Sequence, residues 1–167
     1  MNRFRRLAIA TSLTLTLVSV PAFTLGTTDL PYAISGVEYA ATSAVGSFAG
    51  VTVAADDYGT WRATIAHDAL PTTLFASSSV TPSGSSFALD GKVRDLAGGF
   101  ASGSITLLTT STCSKQTYAV TGSLNLTAGG SGTADFAATL THYRIWLWGR
   151  CITYGATVKG VVTFHLN

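Results

Sequence analysis

Charge is scarce in this chain: Asp, Glu, Lys and Arg make up 11% of its 167 residues, against a usual ~25%. There is one glutamate, Glu38, and one methionine, Met1. Cysteine is rare too, at two residues. That excludes a dense disulfide framework, which a domain of this size does not need in order to bury a core. The two cysteines, Cys113 and Cys151, lie far apart and form no CxxC pair, which speaks against a redox site. No GxSxG elbow, HxH or HExxH occurs, so a hydrolase of that design and a spaced metal site both lack support. The adjacent Asp56 and Asp57 read as a turn, not as a separated acid and base for glycoside cleavage. The glycine runs sit between strand patterns and not at helix starts, so no phosphate cradle is expected. No cofactor and no metal follow from these residues.

Thr, Ser, Gly and Val dominate instead. β-branched residues suit a pleated surface, and glycine disfavours helix interiors, so strands and turns are expected. The formal charge of +2 includes Arg3, Arg5 and Arg6, which head an uncharged stretch from Leu7 to Val20. A basic start, an apolar run and the small-residue sequence Val20-Pro21-Ala22 form the pattern of a secretory signal. Cleavage is expected after Ala22, with a later site near Gly26 as the alternative. An uncleaved anchor is the rival reading, but the run is short and rich in Thr and Ser. Without the leader, seven basic residues face eight acidic ones. The mature chain thus shows no basic footprint for nucleic acid or an anionic membrane. A secreted or cell-surface location follows, and export makes a Cys113–Cys151 disulfide credible.

Residues 23–43 read as an irregular entry segment before a single all-β domain over 44–167. Strand patterns run over 45–55, 60–69, 85–93, 99–109, 116–128, 133–148 and 151–166, with 70–81 as an eighth strand or a long loop. Turn clusters punctuate them, among them Asp56–Gly59, Ala97–Gly99, Gly129–Gly132 and Gly149-Arg150. Glycines recur inside the strand patterns, and sharp coiling accounts for them. The expected fold is an antiparallel up-and-down meander closing into a small barrel, with a two-sheet β-sandwich as the alternative. The pattern resembles calycin-like, lipid-binding meanders in general architecture alone, which implies nothing about activity.

A disulfide closing the hairpin of strands 116–128 and 133–148 predicts a register that sets Leu124 opposite Leu140 and Tyr118 opposite Trp146. Alternation then nominates an interior cluster of Trp61, His67, Tyr118, His142, Arg144, Trp146 and Tyr154, a candidate small-molecule site. A bulge near Thr141 would reverse the faces instead. Tyr143, Ile145 and Leu147 would then be core, and His142, Arg144, Trp146 and Arg150 an outer cation–aromatic ladder. The second reading is preferred, because an arginine inside a barrel needs a partner charge and none is evident nearby. The leading functional expectation is a secreted, non-enzymatic β domain that binds a partner or associates with the cell envelope. The alternatives are a barrel carrying a small apolar ligand and an isomerase-type enzyme using His67 and His142. The partner is unknown, with a small apolar ligand or a cell-surface polymer as candidates. A membrane-spanning barrel fits less well, because several outer faces read Thr, Ser, Lys and Arg.

Overall fold

The computed structural model describes residues 28–109 and 113–167. The leader and the two candidate cleavage sites lie outside the described residues. Nine strands form: β1 (Thr28–Ala41), β2 (Val45–Val53), β3 (Tyr58–Ala66), β4 (Ser77–Ser79), β5 (Ser86–Gly91), β6 (Asp95–Thr109), β7 (Lys115–Ala128), β8 (Gly132–Leu147) and β9 (Arg150–Leu166). Eight of them close into an antiparallel barrel, with β9 returning to pair with β1 and β6 pairing with β7. Closure removes the exposed sheet edges that a sandwich would leave. The short β4 prolongs the wall by pairing with Ser104–Thr106 of β6, past the point where β5 ends.

The interior is filled by aromatic rings from alternate positions of facing strands. Trp61 stacks on Phe87 at 5.9 Å, and Phe87 meets Phe136 and Phe164 at 6.2 and 6.1 Å. Phe100 packs edge-on to Phe136 and Tyr32 edge-on to Phe164. Trp61 is 2% exposed and donates its indole N–H to the Ser35 carbonyl at 3.2 Å. Gly36 makes room for it, since a Cβ there would come within 2.9 Å of the indole. A cavity among Phe48, Trp61, Phe136 and Leu140 has room for about 10 Å³, roughly one water.

Residues 28–41 are a strand, not an irregular segment. Pro31, Gly36 and a glutamate hide an alternation in which Tyr32 and Ile34 face the core. The β7–β8 register also differs: Tyr118 pairs with Leu140 and Leu124 with Ala134. The disulfide does not close that hairpin. It joins the segment before β7 to Cys151 in β9, two strands away in sheet order. The slip is an even number of residues, so the inward faces of both strands are unchanged. Ala97, Gly98 and Gly99 lie within β6, and Val93 is exposed in the β5–β6 turn.

Candidate functional site

The barrel has two dissimilar ends. At one end lie the β2–β3, β5–β6 and β7–β8 turns, the start of β1 and the end of β9. Asp57 is buried there, and its carboxylate accepts hydrogen bonds from Tyr32 Oη at 2.9 Å, the amides of Tyr58 and Val93 at 2.9 Å each, and the Arg94 amide at 3.2 Å. Burial alone would raise its pKa. The hydrogen bonds from Val93, Tyr32, Tyr58 and Arg94 outweigh that and hold it below the usual carboxylate value. Arg94 makes a two-pronged pair with Asp56 at 2.8 and 3.1 Å. So the Asp56-Asp57 pair is a structural tie between two turns.

On the outer wall near this end, His165 sits between Asp29, 2.8 Å from Nδ1, and Asp135, 3.2 Å from Nε2. The two carboxylates raise its pKa above the ordinary imidazole value, Asp29 most. The charged form is therefore favoured by folding. Its contribution to stability is complete below the unfolded imidazole pKa and is lost as pH rises through the folded one. His165→Gln is expected to flatten the fall in urea midpoint between pH 6 and pH 9. A fall as steep as the wild type's would show that another group titrates there.

The opposite end carries the nominated residues. His142 is buried and faces inward, with Nε2 3.2 Å from Oε2 of Glu38, the one glutamate of the chain. Its ring meets that of Tyr118 edge-on at 5.3 Å, and Tyr118 Oη donates to Gln116 Oε1 at 3.3 Å. Burial raises the Tyr118 pKa, opposed by the positive charge of Arg144. Arg144 is half-buried on the same side, and its Nε is closed off from solvent without a hydrogen-bond acceptor among the described residues. Glu38 brings a carboxylate to this end, against His142 and not in an ion pair with Arg144 among the described residues. Steps of two along β1, from Tyr32 through Ile34 and Gly36, place it on the inward face.

The bulge lies on β9, not near Thr141. Tyr143 pairs with Gly155 and Arg144 with Thr153, so Tyr154 is the extra residue. It turns outward, exposed, with its ring 6.4 Å from that of Tyr143. β8 keeps its alternation, but it outruns the barrel. β7 begins opposite Tyr143; past it the Arg144 amide bonds to the Ser114 carbonyl, and the rest of the β8 ladder is with β9. Trp146 is thus 64% exposed although it follows His142 on the same strand face, because no barrel interior lies beneath it. The two residues proposed as inner pocket walls, Trp146 and Tyr154, are outer residues.

His67 is buried at the same end, with its ring Nδ1 against the Asp68 carbonyl. No hydrogen bond or ion pair joins it to His142 among the described residues, and β3 and β8 are not neighbours. Trp61, Tyr118 and His142 do face inward together, but they touch packed neighbours and not an open pocket.

What remains open to a partner is the overhang. Arg144–Leu147 and Arg150–Thr153 form a two-stranded ribbon closed by the tight turn Trp148-Gly149. Both turn residues have positive φ, 48° and 70°, as a two-residue hairpin of type I′ requires. Glycine and asparagine suit that position, whereas a bulky residue there is strained. Trp148 occupies it while 88% exposed, so it gains little packing within the chain in return. Sequence reading put this turn at Gly149-Arg150, one residue late, and so missed the tryptophan at the tip. Comparison with known protein families, curated proteins and solved structures finds no match. The site must therefore be read from its own chemistry. Ile145, Trp146, Leu147 and Ile152 complete an apolar tip that is exposed on both ribbon faces.

Proposed function

We propose that this protein is an exported, non-enzymatic binding domain of the cell envelope, and that its binding element is the β8–β9 ribbon and not the barrel lumen. The single observation that carries this reading is Trp148, a large apolar side chain held in a left-handed turn and turned to solvent. Unfavourable backbone geometry that brings little internal packing points to a use outside the chain. The filled lumen supports the same reading. The basic and apolar leader and the formed disulfide support export.

Trp148→Asn separates function from folding. Asparagine tolerates the left-handed turn, so the variant is expected to be as stable as the wild type, or more stable by about 1 kcal/mol. In fractionated cells of the producing organism the wild type should stay with the envelope, and Trp148→Asn should move to the medium. An unchanged distribution, with the variant folded by circular dichroism, would overturn the reading.

A further inference from the structure

Resting on that reading, we infer that the partner of the ribbon is the interfacial region of a lipid bilayer carrying anionic lipid. The ribbon tip is apolar on both faces. Side chains alternate between faces along a strand, yet Ile145, Trp146 and Leu147 are all exposed, and Trp148 caps them. A folded partner docking on one side would leave the other face in water. An apolar medium that surrounds the tip covers both.

The reach suits insertion without crossing. Four residues of β8 run past the last β7 pair, the first of them still bonded to Ser114, so the reach is at most about 14 Å at ~3.4 Å per residue. That is well short of a hydrocarbon core of about 30 Å. Tryptophan and tyrosine favour this depth, with the ring body apolar and the polar tip wet. Between 143 and 154 there is no Asp, Glu, Asn or Gln, so no carboxylate or amide side chain is there to bracket the hydroxyls of a sugar polymer.

A second tip lies at the same end. Phe75 is exposed with φ 62° in the loop before β4, and its amide bonds to the Leu107 carbonyl at the end of β6. Two aromatic tips in strained turns at one end of the barrel fit a broad surface that meets both.

Charge points the same way. Lys115, Arg144 and Arg150 lie at the ribbon end, where the acids are the exposed Asp68 and the half-buried Glu38. Asp29, Asp56, Asp57, Asp90, Asp95 and Asp135 lie in the opposite half, where the bases are Lys92 and Arg94, the latter paired with Asp56, and where His165 sits between Asp29 and Asp135. The ribbon end is therefore the less acidic of the two, so an anionic surface favours it over the other and biases the orientation in which the tip arrives.

The test uses the mature protein and vesicles of mixed phosphatidylglycerol and phosphatidylcholine. Wild type should co-sediment with them, more weakly as phosphatidylglycerol is replaced or salt is raised. Lipids brominated near the headgroup should quench Trp146 and Trp148 in a Trp61→Phe background. Trp148→Asn should weaken partitioning about tenfold or more, and Phe75→Ser should weaken it in the same direction. Failure of the wild type to bind any vesicle, or equal binding by Trp148→Asn, overturns the inference. If envelope retention still depends on Trp148 in that case, the ribbon remains the binding element and its partner is a protein or a polymer. If retention is also unaffected by Trp148→Asn, the binding-element reading falls as well.

Discussion

Replacing Asp57 with alanine is expected to lower the unfolding free energy by about 3–5 kcal/mol. The residue is 3% exposed, and its carboxylate accepts four hydrogen bonds that tie the β2–β3 turn to the β5–β6 turn and to Tyr32 of β1. Truncation leaves three backbone amides and a phenol without their acceptor at a buried site. Water can reach only part of that group, so the desolvation cost of the donors is largely uncompensated. Asparagine is not a mild substitute, since its amide offers one acceptor oxygen where two are used and places N–H groups against N–H groups. Urea denaturation followed by circular dichroism gives the number directly. A loss under about 1 kcal/mol for Asp57→Ala would mean that the turns hold themselves.

The same group sets the acid limit of the fold. The folded pKa of Asp57 is depressed, so its contribution is present above the unfolded carboxylate pKa and is lost as pH falls through the folded one. The wild type should therefore weaken in the acid range below about pH 4. Asp57→Asn should be less stable at neutral pH and flatter across that range. His165 acts with the opposite sign in a higher window, so the two contributions can be separated by titrating each variant.

Removing the disulfide is the second large effect. The Cys113→Ser, Cys151→Ser double variant is expected to lose about 4 kcal/mol in the chain-entropy model for a separation of 38 residues. The loss should be uneven in space. Beyond Tyr143 the ribbon is held by β8–β9 pairing, by the Arg144 amide bonding to the Ser114 carbonyl at 2.9 Å, and by the disulfide. Faster amide exchange over 144–153, with β1–β3 still protected, is the expected pattern. Uniform loss of protection would show that the bond staples the whole barrel. A loosened ribbon also costs more to order at a surface, so vesicle binding should weaken even where the barrel stays folded.

Most of the barrel was legible because its strands alternate cleanly. Phe87 with Leu89, Phe136 with Leu140, and Val158 with Val162 and Phe164 all face the core, as their spacing implies. β1 was missed because proline and glycine interrupt it, yet its inward positions step by two from Tyr32 to Glu38 like those of any other strand. Without β1 in the barrel wall, the carboxylate that Glu38 sets against His142 has no place in a reading of the sequence. Trp146 and Tyr154 were misplaced for a different reason. Alternation tells which face a residue is on, but not whether anything lies beneath that face.

The sequence by itself determined an all-β meander with one disulfide, because strand patterning and cysteine count are local properties of the chain. It carried the composition of the ribbon as well, since His142 to Arg150 stand out in any reading. Only the tertiary structure decided that the barrel is filled, that Glu38 meets His142 across the wall, and that β8 and β9 run on past the barrel rim. It also separated the charges. Seven basic and eight acidic residues beyond Arg6 nearly cancel along the chain. Up-and-down strands return each turn to one of two ends, and the turns rich in aspartate all return to the same one. A nearly neutral sequence thereby becomes a molecule with its aspartates gathered towards one end and an exposed aromatic ribbon at the other.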